Sequence, residues 1–383
     1  MISRAGTLIC TMLLGVCLIG CLGAAETMKL DDVIKLLQSG VGEEVIQASI
    51  TQRGAAFTLS TADILALKKA GASDNLLVFM IGGKSTGEFP FEIENEFIVK
   101  KPTVFKHLAV YPIFRKTLEG IDDYLTLDQA QKARIIIIRE RSDASVPTVI
   151  IKNTGRRPIY IMAGEIIVGG KQDRMVSFDI LIPAHKEIEV EVRCVEHGRW
   201  TGKAEFKSGG ALAGKSVRSA LQFADQQDVW DEIAKVREKH GITSGSGTYD
   251  AVLSSQDIDR RSAPFLAAMK QGLTDERMVG MIMALNGEVV CVDIFSNPKF
   301  FKEVCEKLLK AYVLDAISAE EEVSRAPGKQ EILTFFNEMK NARTQDSKKY
   351  DENSNVELES DRMIGNESRD KDGRLQHLNL NKK

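Results

Sequence analysis

The amino-acid sequence predicts an α+β protein, in which an antiparallel, sandwich-like β-sheet with packed helices follows a small four-helix module. Three observations support this class. The composition, with 43% hydrophobic and 27% charged residues, is that of an ordinary globular protein. Apolar residues recur with helical spacing near the start and again after residue 216. Between these segments, short β-branched runs alternate with turn residues, as strands of an antiparallel sheet do.

The charge balance argues against one broad class of partner. The chain has 51 basic and 54 acidic residues, which gives a formal net charge of -3. Domains that bind DNA or RNA are usually strongly basic, because many of their contacts neutralise phosphates. We therefore expect no nucleic-acid partner.

Residues 1–20 predict a lipoprotein signal peptide. Arg4 precedes an apolar stretch that is shorter than the roughly 20 residues needed to span a bilayer and has the length of a signal core. The sequence Leu18-Ile19-Gly20-Cys21 resembles the bacterial lipobox, so we expect Cys21 to carry a lipid anchor in the cell envelope. Leu22 then favours the periplasmic face of the outer membrane, if the cell has two membranes. Ordinary cleavage after Ala25 is the alternative.

Residues 21–28 are predicted to form a tether and residues 29–81 a duplicated helical module. Gly40 and Gly71 occupy equivalent positions in two copies of one apolar pattern, at the point where a helix should end. Ser73 is a good N-cap for the helix that follows. We expect this module to bind an envelope protein partner. Residues 82–90, which begin with two glycines, are predicted to be a linker.

The α+β domain is predicted over residues 91–317. Its later strands flank Asn286-Gly287, a dipeptide typical of two-residue hairpin turns. The polar residues 318–383 predict a helix and a weak hairpin, which belong to the domain or flank it. The predicted strands cover residues 107–114, 133–140, 148–153, 158–162, 175–184, 186–196, 277–286 and 288–295.

The densest group of polar residues falls between positions 153 and 200. Glycines at 164, 169 and 170 would let the backbone approach a ligand closely. If residues 175–196 form a hairpin, the segments before and after it meet at one edge of the sheet. We therefore predict that seven side chains converge on one cleft there, namely Glu165, Lys171, Gln172, Arg174, Glu196, Arg199 and Trp200.

These residue types allow two interpretations. In a functional cleft, Glu165 and Glu196 would be the catalytic acid and base, and the cationic side chains would bind an anionic ligand. Trp200 would stack on a base or a sugar. Alternatively, the same charges form a buried ion-pair network that orders two loops, and the tryptophan belongs to the core.

Together with Gln227, Trp230 and Asp293, these blocks resemble one known family. It is the ADP-ribosylglycohydrolase- and rhodanese-phosphatase-superfamily-associated protein domain family, and the resemblance covers residues 105–380. The most specific matches are the stretch from Gly164-Glu165 to Arg174 and the stretch 194–200. The family's name records the enzymes with which it is associated. That association implies a link to ADP-ribose, NAD or related phosphorylated nucleosides.

Two further motifs are weaker. Residues 209–216 match the P-loop pattern, but the preceding residues do not read as the buried parallel strand that a P-loop requires, so we interpret them as a glycine-rich loop. Lys215 should then be dispensable for nucleotide binding. Cys194 and His197 have a spacing that suits zinc, but no second pair accompanies them, so we predict neither a metal nor a cofactor.

Three functional hypotheses follow. The first is an envelope lipoprotein whose α+β domain binds a small anionic ligand, such as one related to ADP-ribose or a nucleotide. The second is a hydrolase acting on an N-glycosidic or phosphoester bond, with Glu165 and Glu196 as acid and base. The third is a structural envelope protein with no small-molecule site.

Overall fold

The computed structural model describes residues 28–52, 57, 59–73, 76–77, 80, 89–117, 123–141, 147–202, 205–223, 225–320 and 325–383. The chain divides into two compact units, Met1–Ile81 and Gly82–Lys383. The predicted signal peptide, the Cys21 lipidation site and most of the predicted linker lie outside the described residues. Within these described ranges, no helix has the length and apolar character needed to cross a membrane.

The first unit contains three described helices, α1 (Leu30–Gln38), α2 (Glu43–Gln52) and α3 (Thr61–Lys69). Gly40 has a φ of +74° and Gly71 a φ of +99°, values that glycine adopts without steric cost. Both glycines follow helix ends, as their positions predict. The Ser73 hydroxyl accepts a hydrogen bond from the backbone N–H of Leu76 at 3.2 Å, as an N-cap does. The remainder of the predicted fourth helix lies partly outside the described residues.

The second unit is α+β, but its sheets do not form a simple sandwich. The prediction of a sandwich is wrong because the strands divide among three sheets. The largest is a ten-stranded antiparallel sheet. In spatial order its strands are β1 (Phe91–Ile93), β2 (Phe97–Val99), β4 (Leu108–Arg115), β14 (Met278–Leu285), β15 (Glu288–Phe295), β19 (Leu375–Lys382), β18 (Met363–Asp370), β17 (Asn353–Glu359) and β16 (Arg343–Lys349), and β3 (Thr103–Phe105) pairs with β4.

Six strands close into a barrel, whose order is β10 (Arg174–Val176), β12 (Glu187–Cys194), β7 (Thr148–Asn153), β6 (Ile136–Glu140), β13 (Glu205–Leu212) and β9 (Glu165–Gly169). A three-stranded sheet contains β11 (Ile180–Ile182), β8 (Ile159–Ile161) and β5 (Leu125–Thr126). The predicted strand 175–184 is therefore two strands. Its first part pairs with β12 in the barrel, whereas its second part pairs with β8, because the chain bends between them at residues 177–179.

Helices cover both faces of the large sheet and one side of the barrel. They are α4 (Leu127–Lys132), α5 (Lys215–Phe223), α6 (Gln226–Lys239), α7 (Asp250–Leu253), α8 (Gln256–Lys270), α9 (Pro298–Ser318) and α10 (Lys329–Lys340). One core lies between the large sheet and α8 and α9, where Met281 packs with Leu308. A second core lies on the opposite face, where Ile282 packs with Phe336 of α10. The apolar residues of α5 and α6 pack against the barrel.

The polar segment after residue 340 is part of the large sheet, where it supplies β16 to β19, and is not a weak hairpin. β19 pairs with β15, and Leu378 and Leu380 enter the core beneath α10. The alternating residues His377, Asn379 and Asn381 occupy the other face and are also buried. A pattern that alternates polar and apolar residues normally marks a half-exposed strand. Here both faces of β19 are covered, so the segment is more deeply buried than the sequence pattern predicted.

Candidate functional site

The two predicted polar loops do lie side by side. Arg174 of β10 is directly opposite Cys194 of β12, so the residues before β10 and after β12 emerge at the same edge. Arg199 donates through Nε to both carboxylate oxygens of Glu196, at 3.0 Å each. Its Nη2 donates to Asp173 Oδ1, also at 3.0 Å. These contacts join the loop that follows β9 to the loop that follows β12.

The guanidinium group of Arg199 is fully used by the protein. Its Nη1 donates to the carbonyl oxygens of Gly170 and Thr201 at 2.9 and 3.1 Å. Its Nη2 donates to the carbonyl of Gly169 at 3.2 Å as well as to Asp173. An arginine side chain has five N–H donors, and these contacts account for all of them. Arg199 therefore ties the loops together and has no donor left for a ligand.

Gln172 and Arg174 belong to the same network. Gln172 is fully buried, and its Nε2 donates to the carbonyl of Glu196 at 2.7 Å. Its Oε1 accepts from Arg174 Nη1 at 3.2 Å. Burial by itself would raise the pKa of Glu196, but hydrogen bonds from Arg199, Ser246 and the Asp173 backbone outweigh it and lower this pKa. A carboxylate held in its charged form in this way is a poor proton donor.

Asp173 is a central member of this network and was not predicted from the sequence as a site residue. It accepts hydrogen bonds from the backbone N–H of Gly169 at 2.9 Å, from Arg199 and from the Thr248 hydroxyl at 3.0 Å. Its position between Gln172 and Arg174, two predicted site residues, is the feature that could have identified it. Burial raises the pKa of Asp173, because the desolvation of its carboxylate outweighs these hydrogen bonds.

The other three predicted residues do not join the network. Glu165 begins β9 and Gly169 ends it, so about 13 Å of strand separates Glu165 from the loop. Lys171 is exposed, and its backbone N–H donates to Glu140 at 2.7 Å. Trp200 is 56% exposed and lies outside the core. The prediction that all seven side chains converge on one cleft is therefore wrong, although four of them do meet.

Glu165 has a different environment, at the junction of the barrel and α9. Its side chain is fully buried, and Oε1 lies 3.1 Å from Nζ of Lys307. Lys307 also contacts Asp128 at 2.6 Å, and Glu165 Oε2 has no hydrogen-bond partner among the residues that the structure describes. Burial raises the pKa of Glu165 to about 7, since the attraction of Lys307 only partly offsets the desolvation and Asp128 adds repulsion.

A second buried polar group lies where the large sheet meets the barrel. Asp293 of β15 accepts two hydrogen bonds from Arg218, at 3.1 and 3.2 Å, and one from the Tyr312 hydroxyl at 2.8 Å. His377 places Nε2 at 3.1 Å from Asp293 and Nδ1 at 2.7 Å from Asp179. Although Asp293 is fully buried, Arg218 and His377 lower its pKa far below the usual range. The same two carboxylates overcome the effect of burial on His377 and raise its pKa to about 9.

This group surrounds a very small cavity, which we call the polar chamber. Its volume is about 10 Å³, roughly the space that one water molecule needs. Gly164 shapes its wall, because a Cβ at this position would lie 2.6 Å from the Arg218 side chain and φ is +90°. Neither Arg218 nor His377 was predicted from the sequence as a site residue. The chamber is lined by Ala163, Asp179, Arg218, Leu221, Asn366, His377 and Asn379.

A larger cavity lies between α5, α6 and the end of α9, and we call it the helix cavity. Its volume is about 340 Å³, which is within the range of small-molecule sites. Its floor is partly apolar, and two lysines and two carboxylates stand around it. The lining residues are Ser216, Glu232, Lys235, Val236, Lys239, Tyr249, Leu314, Asp315, Ser318 and Ala319.

The P-loop pattern ends at this helix cavity but does not form a P-loop. Gly209 and Gly210 lie within β13, an antiparallel barrel strand, and not in the glycine-rich loop that the sequence suggested. Asp315 of α9 accepts a hydrogen bond from the backbone N–H of Lys215, the first residue of α5, at 2.8 Å. A carboxylate of the protein thus occupies the place at the helix start where a P-loop would bind phosphate.

The zinc interpretation gains no support from the structure. Across the residues described, no group of three or more His, Cys, Asp or Glu side chains is placed to hold a metal ion. Cys194 Sγ instead lies 3.4 Å from Gln172 Oε1, and the Cys194, Cys291 and Cys305 thiols are free.

These features define a class of protein: an α+β domain in which a closed barrel and a large antiparallel sheet meet around buried, paired charges. The chain belongs to the ARG and Rhodanese-Phosphatase-superfamily-associated Protein domain family, ARPP-1, whose family model matches residues 96–380. This match confirms the resemblance inferred from the sequence. No curated protein and no solved structure matches the chain.

Proposed function

We propose that the α+β domain binds a small anionic ligand in the helix cavity. The observation that carries this proposal is a cavity of about 340 Å³ with apolar and polar walls and lysines at its rim. Ligand sites of this kind combine apolar contact surface with a few polar groups that orient the ligand. The network around Arg199 is a weaker candidate, because the protein itself uses every donor of that arginine.

Two lysines and two carboxylates line the cavity, and one of the lysines is left to bind an anion. Lys235 and Lys239 are one helical turn apart on α6, so both reach the same side of the cavity. Lys235 pairs with Glu232 at 3.2 Å, and Asp315 is engaged by the backbone of Lys215. Among the described residues, Lys239 has no ion pair. Its ammonium group is therefore available for a phosphate or carboxylate of the ligand.

The family points to suitable probes. Its description names association with the ARG and Rhodanese-Phosphatase superfamilies, and the sequence resemblance links it to ADP-ribose and phosphorylated nucleosides. This link is one of association and does not identify the ligand. ADP-ribose, AMP and inorganic phosphate test the class, because they share the anionic group and differ in size.

Thermal unfolding of the full chain with each probe tests the proposal. A ligand present at about 100 times its Kd should stabilise the folded state by about 2.7 kcal/mol. We expect Lys239→Ala to reduce this stabilisation, and Ala319→Phe, which places a large side chain in the cavity, to abolish it. Lys299→Ala is the matched control, because Lys299 is an exposed helical lysine outside the cavity. Equal stabilisation of all four proteins would contradict the proposed site.

A hydrolase is the second candidate, and one observation favours it. Burial raises the pKa of Glu165 to about 7, and its Oε2 has no partner within the described part of the chain; both suit a group that donates and accepts protons near neutral pH. Glu196 lacks this property, because its pKa is lowered and Arg199 binds both its oxygens. The test is hydrolysis of ADP-ribose by the wild type and by Glu165→Gln, detected as adenine if the N-glycosidic bond is cleaved and as ADP and ribose if the terminal phosphoester is cleaved. Equal rates, or no hydrolysis by either protein, would contradict this role.

The envelope location remains part of the proposal and rests on residues 18–21. We propose that Cys21 is lipidated and anchors the protein at the periplasmic face of the outer membrane, if the cell has two membranes. Several acyl chains bind a bilayer much more firmly than one. Cys21→Ser should move the protein from the membrane pellet to the supernatant. A variant that still sediments completely with membranes would refute the anchor.

We propose that the helical unit is a four-helix module that binds an envelope protein. The third hypothesis, a structural envelope protein, gives the module this role. Two large apolar side chains support this idea, because Val45 is 59% and Leu65 is 58% exposed. Val45→Glu and Leu65→Glu should reduce cross-linking to envelope proteins in intact cells, and Val104→Glu in the α+β domain is the control. Unchanged cross-linking in the helical variants would argue against docking through α2 and α3.

A further inference from the structure

Asp315 is a carboxylate that both lines the helix cavity and caps a helix there. Its Oδ2 accepts from the backbone N–H of Lys215 at 2.8 Å, so the negative charge lies at the positive end of α5. A Cβ at residue 214 would lie 2.8 Å from Asp315 Oδ1, so glycine is required there for the carboxylate to fit. The protein thus holds a negative charge inside the cavity that is proposed to receive an anion.

Charged and titratable groups face Asp315 from every element around it. Desolvation dominates their combined effect, and the backbone hydrogen bond and cations offset only part of it, so burial raises the pKa of Asp315 to about 6. The groups are Lys215 and Arg218 of α5, Glu232, Lys235 and Lys239 of α6, Tyr249 and Cys291.

We infer that Asp315 couples ligand binding to proton uptake, so that the cavity binds an anion together with one proton on this carboxyl group. This inference rests on the proposed function and adds that the pH regulates ligand binding at the same site. Two negative charges within one cavity repel each other, because like charges at one site disfavour the ionised form of a carboxyl group. A proton taken from solvent by Asp315 removes that repulsion and turns the carboxylate into a hydrogen-bond donor for an oxygen of the ligand.

Two neighbouring groups could mimic this behaviour and require controls. Glu232 lines the same cavity, but its carboxylate is paired with Lys235 at 3.2 Å. His240 contacts the Ser318 hydroxyl at 2.7 Å, and burial together with Arg261 lowers its pKa. His240→Gln should therefore keep the pH dependence of the wild type, and Glu232→Gln should still bind ADP-ribose more weakly as the pH rises.

The experiment measures the Kd of ADP-ribose for the full chain by calorimetry between about pH 5 and pH 8. ADP-ribose is chosen because its pyrophosphate stays ionised throughout this range, so the ligand itself does not titrate. We expect the wild-type Kd to rise by up to about tenfold per pH unit above pH 6 and to level off below it. Asp315→Asn should bind more tightly than the wild type at pH 8, with little pH dependence.

A second measurement uses only the wild-type protein, so it does not require the variant to fold. Titration of the wild type at pH 8 in two buffers with different heats of ionisation gives the number of protons taken up, and we expect close to one. Binding without pH dependence or proton uptake would overturn the role of Asp315 but leave the proposed ligand site standing. Absence of binding at every pH, in the wild type and in Asp315→Asn, would overturn the proposed function itself.

Discussion

His377 and Asp179 are 198 positions apart in the chain, yet the ring Nδ1 of the histidine lies 2.7 Å from the carboxylate. Asp293 stands at the other ring nitrogen, at 3.1 Å. With a carboxylate at each nitrogen, the favoured state of the ring is the imidazolium, which donates to both. This cation joins the large sheet to the bend between β10 and β11, and it balances carboxylates that would otherwise be costly to bury.

The first prediction concerns the stability that His377 provides. Its pKa is raised from 6.5 to about 9, so its contribution is complete below pH 6.5 and is lost as the pH rises through about 9. We expect the pH-dependent part to be roughly 3 kcal/mol in the free energy of unfolding. Urea unfolding of the wild type and His377→Gln at several pH values measures it. A difference between the two proteins that stays constant up to about pH 10 would contradict the charged state.

The second prediction concerns Arg199. Arg199→Lys keeps the charge but loses the fork that contacts Glu196, Asp173 and three backbone carbonyls. We expect a loss of about 2 kcal/mol in the free energy of unfolding, because the carboxylates remain buried with fewer partners. Lys171→Ala in the same loop should change stability by less than about 0.5 kcal/mol. If both variants unfold like the wild type, the network does not order these loops.

The third prediction concerns Glu165, whose pKa is raised from 4.5 to about 7. Because the folded protein binds this proton more tightly, Glu165 favours folding below about pH 4.5 and loses that effect as the pH rises through 7. Glu165→Gln should therefore remove roughly 3 kcal/mol of pH dependence over this interval. Unfolding by urea at pH 5 and pH 8 compares the two proteins. A variant with the same pH dependence as the wild type would show that Glu165 is already ionised when buried.

The fourth prediction concerns the glycine beside Arg218. Gly164→Ala places a Cβ 2.6 Å from the arginine side chain at a φ of +90°, so the arginine must shift away from Asp293. We expect a loss of about 3 kcal/mol in stability, from backbone strain and the displaced ion pair. Gly210→Ala is the control, since φ is +66° there but nothing lies within 4 Å, and it should cost only about 1 kcal/mol. Equal losses in the two variants would mean that contact with Arg218 is unimportant.

The sequence predicted the parts of this fold that depend on local patterns. The hairpin around Asn286-Gly287 forms as expected, with both residues at positive φ and Leu285 opposite Glu288. The meeting of the loops at Arg174 and Glu196 was also predictable, because two antiparallel strands return the chain to the edge it left. Closure of the barrel was not predictable, because pairing between β9 and β13 involves distant segments and leaves no local signature.

The residues of the polar chamber were the hardest to predict from the sequence. His377 and Asn379 alternate with leucines, a pattern that fits a solvent-facing strand as well as a buried one. Only the pairing of β19 with β15 brings them against Asp293 and buries them. Likewise, a lone arginine such as Arg218 on an amphipathic helix normally faces water. Which polar residues are buried therefore depends on contacts between segments more than 70 residues apart.

The position of β19 in the large sheet also constrains how the protein is made. β19 lies between β15 and β18, although its residues follow those of every other strand in the chain. β14 and β15 are therefore synthesised well before the strand that completes them, and until β19 pairs with β15 that strand has an open edge. Such edges invite pairing with other chains. The large sheet cannot close before residues 375–382 are available, whether the chain folds during synthesis or afterwards.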